Sequence, residues 1–423
     1  AQEPEDRELN FIPKKYDALR KVEAYEGLIR ERFERCLDLY LAPRIRKKKL
    51  DIDPESLIPN LPRPSELRPF PTTANITYEA HEYPVLAIDV DEAGNYLVSL
   101  DKGGNVIIWD VRTSKIVERF SLEGDVYDVA WSKGIDSSFI VICHETHAHI
   151  QSTTALSRKI TKANINKLSE CEESYKTLDP SLKLLEWKFH KEGDELFEKG
   201  IRLSIDTLNQ VKFVTFHTKG DFFATVSPNT LKSSDQVFVH SLSKGASTRP
   251  FAKSKGNIQK VEFHPSKPLF FIMTLQSVYI YNLQKQVLVK RLKAGAVINS
   301  CISVHPKGDN LLVGTSDKRV FWFDLDLGDK AYKTMKYHTK VVRKVIFHPR
   351  YPLFATCSDD GCVNIFHGMV YNDLMQNALI VPLKILKKHK ITDGFGVYNI
   401  AFHPHQPWIF SAGADGQVIL WTQ

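Results

Sequence analysis

Apolar and polar residues alternate in short runs through most of this 423-residue chain, and turn residues separate the runs. The last segment, GVYNIAFHPHQPWIFSAGADGQVILWTQ from Gly396 to Gln423, shows the unit most clearly. It alternates, turns at His-Pro, alternates again, turns tightly at Asp415-Gly416 and closes on Trp421. Alternation of period two marks half-buried strands, so the segment reads as three antiparallel strands. Altered copies precede it. One covers 85–90, 96–100, 105–109 and 115–120, and others begin at 211, 258, 297 and 341. A further copy starts at 126–131 and 139–143, then gives way to a polar stretch at 153–183 with no period. That stretch reads as a long mobile insertion, with strands resuming at 184–189 and 201–205.

The last copy is one strand short, and an orphan strand stands at 76–80 before the first copy. Radial closure requires such an arrangement, because the N-terminal strand completes the last sheet and hides both unpaired edges. The expected fold is therefore all-β, a seven-bladed WD40-type β-propeller closed by an N-terminal strand. If 126–210 hides two degenerate units, the count becomes eight.

Upstream, the pattern changes. Leu19, Val22, Ile29, Phe33, Cys36, Leu37 and Tyr40 recur three or four apart, a helical stripe that Gly27 weakens and Pro43 ends, giving one or two helices. Arg44, Arg46, Lys47, Lys48 and Lys49 form a basic run, either a solvated linker, a phosphate-contacting arm or a targeting patch. Six prolines lie between Pro54 and Pro71, so this segment should run extended. Its interspersed Leu57, Ile58, Leu61, Leu67 and Phe70 suit a strap lying on another surface. The domain reading is 1–50, a helical extension with a basic tail; 51–75, a proline-rich strap; and 76–423, the propeller.

The formal charge of +7 permits a polyanionic partner without demanding one. No run of eighteen apolar residues occurs, so no helical membrane span is expected. The start AQEPEDRELN is no signal peptide and lacks an initiator Met, as a fragment or processed product would. The six cysteines are scattered, several within strand patterns, as reduced buried thiols would be.

Several residue sets mimic catalytic or metal chemistry. Histidines at 217, 264, 305, 348 and 403 mark the same turn in successive copies, forty or more residues apart, and so cannot converge on one ion. His389, Ser411, Asp415 and Trp421 match the hydrogen-bonding network of WD repeats and are read as structural. The sixth unit keeps His338, Thr356 and Asp360 with Phe366 in place of Trp. The fifth keeps Asp317 with Phe323. The first keeps His81, Ser99 and Trp109, with Gly103 where the turn Asp is expected. Cys143, His144, His147 and His149 lack zinc-site spacing, and Cys357 and Cys362 bracket a turn as reduced thiols. No glycine-rich nucleotide loop and no convergent acid, base and nucleophile are present, so no enzyme, cofactor or metal site is expected.

Function should therefore lie on surfaces. Basic residues recur near the outer edges of the blades, namely Lys244, Arg249, Lys253 and Lys255; Lys290 and Arg291; Lys387 and Lys388. Edge lysines also discourage aggregation, but their repetition suits a stripe that contacts RNA phosphates. For a protein contact the candidate anchors are Arg343, Tyr332, Tyr337 and Trp408, with core packing the alternative for Trp408.

ERFERCLDLYLAPR, DPESLIPNLPRP, LRPFPT, GDNLLVGTSDKRVFWFDLDL, YPLFATCSDDG, FHGMVYNDL, NALIVPLKIL and HPHQPWIFSAGADGQ closely resemble the block of proliferation family, eukaryotic WD-repeat proteins of ribosome biogenesis. The likeness runs from about Asn10 to the end and includes the strap, beyond a generic WD match. It implies a non-catalytic nucleolar and nucleoplasmic scaffold in large-subunit maturation and pre-ribosomal RNA processing. The implied partners are a second WD-repeat protein with a ubiquitin-like domain, pescadillo (mainly through an upstream region), and the pre-ribosomal particle with its RNA. No membrane or small-molecule partner is implied. Alternatives are a protein adaptor without RNA contact and a substrate-recognition propeller of a ubiquitin ligase.

Overall fold

The computed structural model describes residues 14–18, 21–22, 27–42, 62–134, 138–153, 157–228, 230, 232–251, 256–295, 298–371 and 378–423. The chain divides into two compact units, Ala1–Asn60 and Leu61–Gln423. In the first, helix α1 spans Leu28–Leu41 and begins directly after Gly27. Its Ile29, Phe33, Leu37 and Tyr40 are exposed. Leu19, the basic run at 44–49 and the strap residues Leu57, Ile58 and Leu61 lie outside the described residues.

The second unit consists of seven antiparallel sheets, the blades of a propeller. Blade 1 comprises Val85–Val90, Tyr96–Asp101, Asn105–Asp110 and Ile116–Ser121, paired in chain order from the channel outward. Blades 3 to 6 repeat this order. Blade 7 has Val397–Phe402, Ile409–Gly413 and Gln417–Thr422, and Thr73–Glu79 pairs antiparallel with the last of these. The ring closes as the strand count requires, at seven. Phe70, at the end of the proline-rich segment, is buried among Leu353, Leu386 and Trp421 between blades 6 and 7.

Blade 2 departs from expectation. Its third strand is His147–Gln151 and its fourth Ile201–Asp206, while Glu186–Phe189 adds a fifth strand outside them. The polar stretch is not a mobile loop. It holds a 20-residue helix, α2, at Arg158–Thr177. Asn164, Leu168, Cys171 and Tyr175 recur at helical spacing, and Leu168, Cys171 and Tyr175 join the apolar cluster between blades 2 and 3. A stripe with so few apolar members is masked in sequence by its flanking Lys, Glu and Ser. Asn164 accepts the Ser138 N–H at 2.9 Å and donates to the Ser138 carbonyl at 2.7 Å, which ties α2 to the blade.

Between neighbouring blades lie apolar clusters of Val, Ile, Leu and Phe, one at each junction. Each fully buried side chain of this kind contributes roughly 1.5–3 kcal/mol, so the core is distributed around the ring rather than centred. All six cysteines are free thiols, four of them buried.

Candidate interaction surfaces

The network that resembles a catalytic set is spent on the blades. In blade 7, His389 Nε2 meets Ser411 Oγ at 2.7 Å, Nδ1 meets Asp415 at 3.1 Å, and Trp421 Nε1 donates to Ser411 at 2.8 Å. Blade 6 repeats it with His338, Thr356 and Asp360 at 2.7 and 3.0 Å. Burial alone would raise the Asp360 carboxyl, but the His338 hydrogen bond and charge overcome it and hold the pKa at about 2. Blade 1 is not missing its aspartate. Asp101, two residues before Gly103, reaches His81 Nδ1 at 2.9 Å, while Ser99 takes the other ring nitrogen at 2.6 Å and Trp109 Nε1 at 2.7 Å. Asp317 of blade 5 is instead paired with Arg319 at 2.7 Å.

The first strands line a central channel of about 720 Å³. In six blades a β-bulge follows the first residue of this strand, as between Val342 and Lys344. A bulge turns two consecutive side chains toward one side, so Arg343 and Lys344, or Tyr127 and Asp128, both line the channel. Polar side chains then stitch blade to blade around it. Asp89 accepts the Trp131 N–H at 2.8 Å, Asp128 that of Val214 at 3.2 Å, and Glu262 that of Val304 at 2.7 Å. Lys344 donates to Asn399 at 2.6 Å. Burial pushes Asp128 up to about 6 and Glu262 up to about 7, against the opposing charges of Lys344 and Lys260.

Each propeller end has its own composition. The connector face is formed by the links between blades and by the turns joining second to third strands. Exposed Tyr83, Leu208, Leu275, Ile298, Tyr337, Ile391 and Phe395 all lie there. Arg343 sits at the same mouth, its guanidinium on Asp359 at 2.7 and 2.9 Å and 5.2 Å from the Phe395 ring centroid. The turn face, at the opposite end, is formed by the turns joining first to second and third to fourth strands.

The proposed anchors therefore divide. Arg343 and Tyr337 belong to the connector end. Tyr332 lies on the link into the fourth strand of blade 5, and Trp408, half-buried against His403 with centroids 5.2 Å apart, lies on the turn face. The edge cations divide too. Lys244 is exposed on the turn face, in the Ser241–Ala246 turn. Arg249, Arg291, Lys387 and Lys388 lie toward the connector end of their outer strands, so no single stripe joins them. Several are occupied internally, with Arg249 on Asp235 at 2.9 Å, Lys290 on the Leu325 carbonyl at 2.7 Å, Arg291 on Ser277 at 3.2 Å and Lys388 on Thr77 at 2.9 Å. Lys253 and Lys255 lie outside the described residues.

Sequence reasoning missed what the recurring turn histidines do. Nδ1 of His217, His264, His305, His348 and His403 accepts backbone N–H groups of its own turn, those of Lys219, Lys267, Lys307, Arg350 and His405, at 2.9–3.2 Å. His348 Nε2 reaches the Gln406 carbonyl at 2.9 Å and His403 Nε2 the Gly94 carbonyl at 3.0 Å, each in the next blade. Gly94 and Gly308, both at positive φ, leave room for the His403 and His264 rings, and a Cβ at either would overlap them. Burial pushes His305, His348 and His403 down to about 4, so these rings are neutral near pH 7 and Nδ1 is free to accept. The histidines are latches between blades. The signal that could have revealed this is the one basic residue that follows most of them within three positions.

Comparison with known proteins supplies the lineage. The BOP1NT (NUC169) domain family matches residues 1–71, and WD domain, G-beta repeats match 73–110, 329–367 and 380–422. Ribosome biogenesis protein bop1-A of Xenopus laevis is 43% identical over 421 residues, 100% of this chain and 57% of its own length. Ribosome biogenesis protein bop1 of Danio rerio is 44% identical over 422 residues, 100% of this chain and 54% of its own. Ribosome biogenesis protein erb1 of Pyrenophora tritici-repentis (strain Pt-1C-BFP) is 45% identical over 429 residues, 99% and 54% respectively. The chain thus spans a little over half the length of these relatives. With a BOP1NT segment, WD repeats on a seven-bladed propeller and identity along its whole length, the chain belongs to the BOP1/Erb1 family of ribosome biogenesis proteins.

Proposed function

We propose that this chain is a non-catalytic scaffold in ribosome biogenesis, acting in the nucleolus and nucleoplasm on the large-subunit precursor and its RNA processing. It holds a second WD-repeat protein with a ubiquitin-like domain, contacts pre-ribosomal RNA, and joins pescadillo mainly through sequence N-terminal to the propeller. Retention on the precursor then comes from several moderate contacts made together. The observation that carries this reading is the likeness to ribosome biogenesis proteins across the entire chain. The polar sets that resemble catalytic machinery are engaged within and between blades, which suits a rigid frame.

The protein partner is assigned to the connector face. Arg343 there is tied back by Asp359 and Lys340 by the Gly394 carbonyl at 2.9 Å, while aromatic and aliphatic side chains stay exposed, as in an interface core. In calorimetry against the second WD-repeat protein, Phe395→Ala and Ile391→Glu should each weaken binding about tenfold or more. Unchanged affinity for both, and for Arg343→Glu, would remove the contact from this face. The internal pairing of Arg249, Lys290, Arg291 and Lys388 favours the alternative of an adaptor without RNA contact. That alternative predicts no salt-dependent RNA binding by the chain.

A further inference from the structure

The turn face carries a ring of cations that the outer-edge reading overlooks. The turns joining first to second strands in blades 2 to 6 bear Lys133, Lys219, Lys267, Lys307 and Arg350, all exposed. His405 takes the place in blade 7, and Glu92 in blade 1 faces Lys133, Arg350 and His405 across the mouth. The side chains of Lys133, Lys219, Lys267 and Arg350 make no hydrogen bond or ion pair among the described residues, in contrast to Arg249, Arg291 and Lys388. The backbone beneath them is fixed, since the N–H groups of Lys219, Lys267, Lys307 and Arg350 are held by the turn histidines. The nearby carboxylate of Asp221 is occupied by the N–H and hydroxyl of Ser243, both at 2.9 Å.

We infer that this ring, with Lys244 beside it, is the site where the propeller holds an RNA phosphate backbone. The inference rests on the RNA contact proposed above and gives it a location. Point charges repeated blade after blade, on rigid turns and at similar height, follow a chain of phosphates and do not read bases. The larger group of exposed apolar side chains, which a protein partner would bury, lies at the connector end, while Leu327, Tyr332, Met369 and Tyr371 are exposed at the third-to-fourth turns of blades 5 and 6 on the turn face. An acidic protein segment is thus the less suited occupant.

The test compares the chain with a quadruple variant, Lys133→Gln, Lys219→Gln, Lys267→Gln and Arg350→Gln, binding a labelled single-stranded RNA of mixed sequence at several salt concentrations. A second variant, Lys387→Gln with Lys388→Gln, serves as the connector-end comparison, and thermal melting verifies that both fold. The ring variant should lose about thirtyfold or more in affinity at about 50 mM salt, and its slope of log K against log salt should fall by roughly 3. The connector-end variant should bind as the parent does. Equal binding by the ring variant and the parent would overturn the ring while leaving RNA contact standing. No RNA binding by the parent would overturn both. Poly-glutamate binding tighter than RNA, and lost with the ring, would assign the face to an acidic protein instead.

Discussion

At the scale of single residues, the side chains that resemble chemistry do mechanical work. His338 illustrates it, with one nitrogen on Thr356 and the other on Asp360, both inside blade 6. Because the Asp360 pKa in the fold, about 2, lies below the usual 3.8, its charged form is favoured by folding. The sign follows from linkage. The stabilisation is present in full above the unfolded pKa and is lost as pH falls from about 4 toward about 2. Discounted for the part-exposure of Asp360, the difference corresponds to roughly 1–2 kcal/mol. Asp360→Asn should therefore lower stability near pH 7 and flatten the profile between about 4 and 2, as read by denaturant unfolding at each pH. An unchanged slope there would mean that another group carries the acid sensitivity. The His-Ser-Asp-Trp set of blade 7 was legible from sequence because its members fall at fixed offsets. Asp101 was not, because it reaches the same histidine from a different position of the turn.

At the scale of elements, alternation located most strands to within a residue or two, since each blade buries one set of alternate side chains on either neighbour. The closing strand was legible by counting. It starts three residues earlier and ends one earlier than 76–80, running from Thr73 opposite Thr422 to Glu79 opposite Gln417. Blade 2 defeated the same reasoning. HAHIQ carries two histidines and a glutamine and does not look like a buried strand, yet Ala148, His149, Ile150 and Gln151 are all buried. His149 is accommodated by Ser204 at 2.7 Å and His144 at 3.1 Å. The fifth strand has a role that its length conceals. Trp187 stacks on Tyr175 of α2, centroids 5.9 Å apart, and donates its indole N–H to Ser247 of blade 3 at 2.9 Å. Insertion, blade 2 and blade 3 are thereby joined at one side chain. Trp187→Ala should cost about 3–5 kcal/mol in denaturant unfolding, and Trp187→Phe, which keeps most of the packing, about 1. A Trp187→Ala protein as stable as the parent would show the insertion to be an independent appendage.

At the scale of the molecule, closure makes one body of seven blades, and the two ends of that body differ. One gathers exposed aromatic and aliphatic side chains around a tethered arginine; the other gathers cations over histidine-capped turns. The sequence makes the repeats and the closure evident. It hides the division between ends, because strand direction reverses at every turn and neighbouring cations such as Lys244 and Arg249 fall on opposite sides. The proposed scaffold would hold protein at one end and RNA at the other. The direct measurement is RNA affinity of the chain with and without a saturating amount of the second WD-repeat protein, at fixed salt. The account predicts RNA affinity reduced by no more than about twofold and a ternary complex on sizing, because distant sites without shared partners act independently. Displacement of RNA by the protein would contradict it, placing both partners on one face.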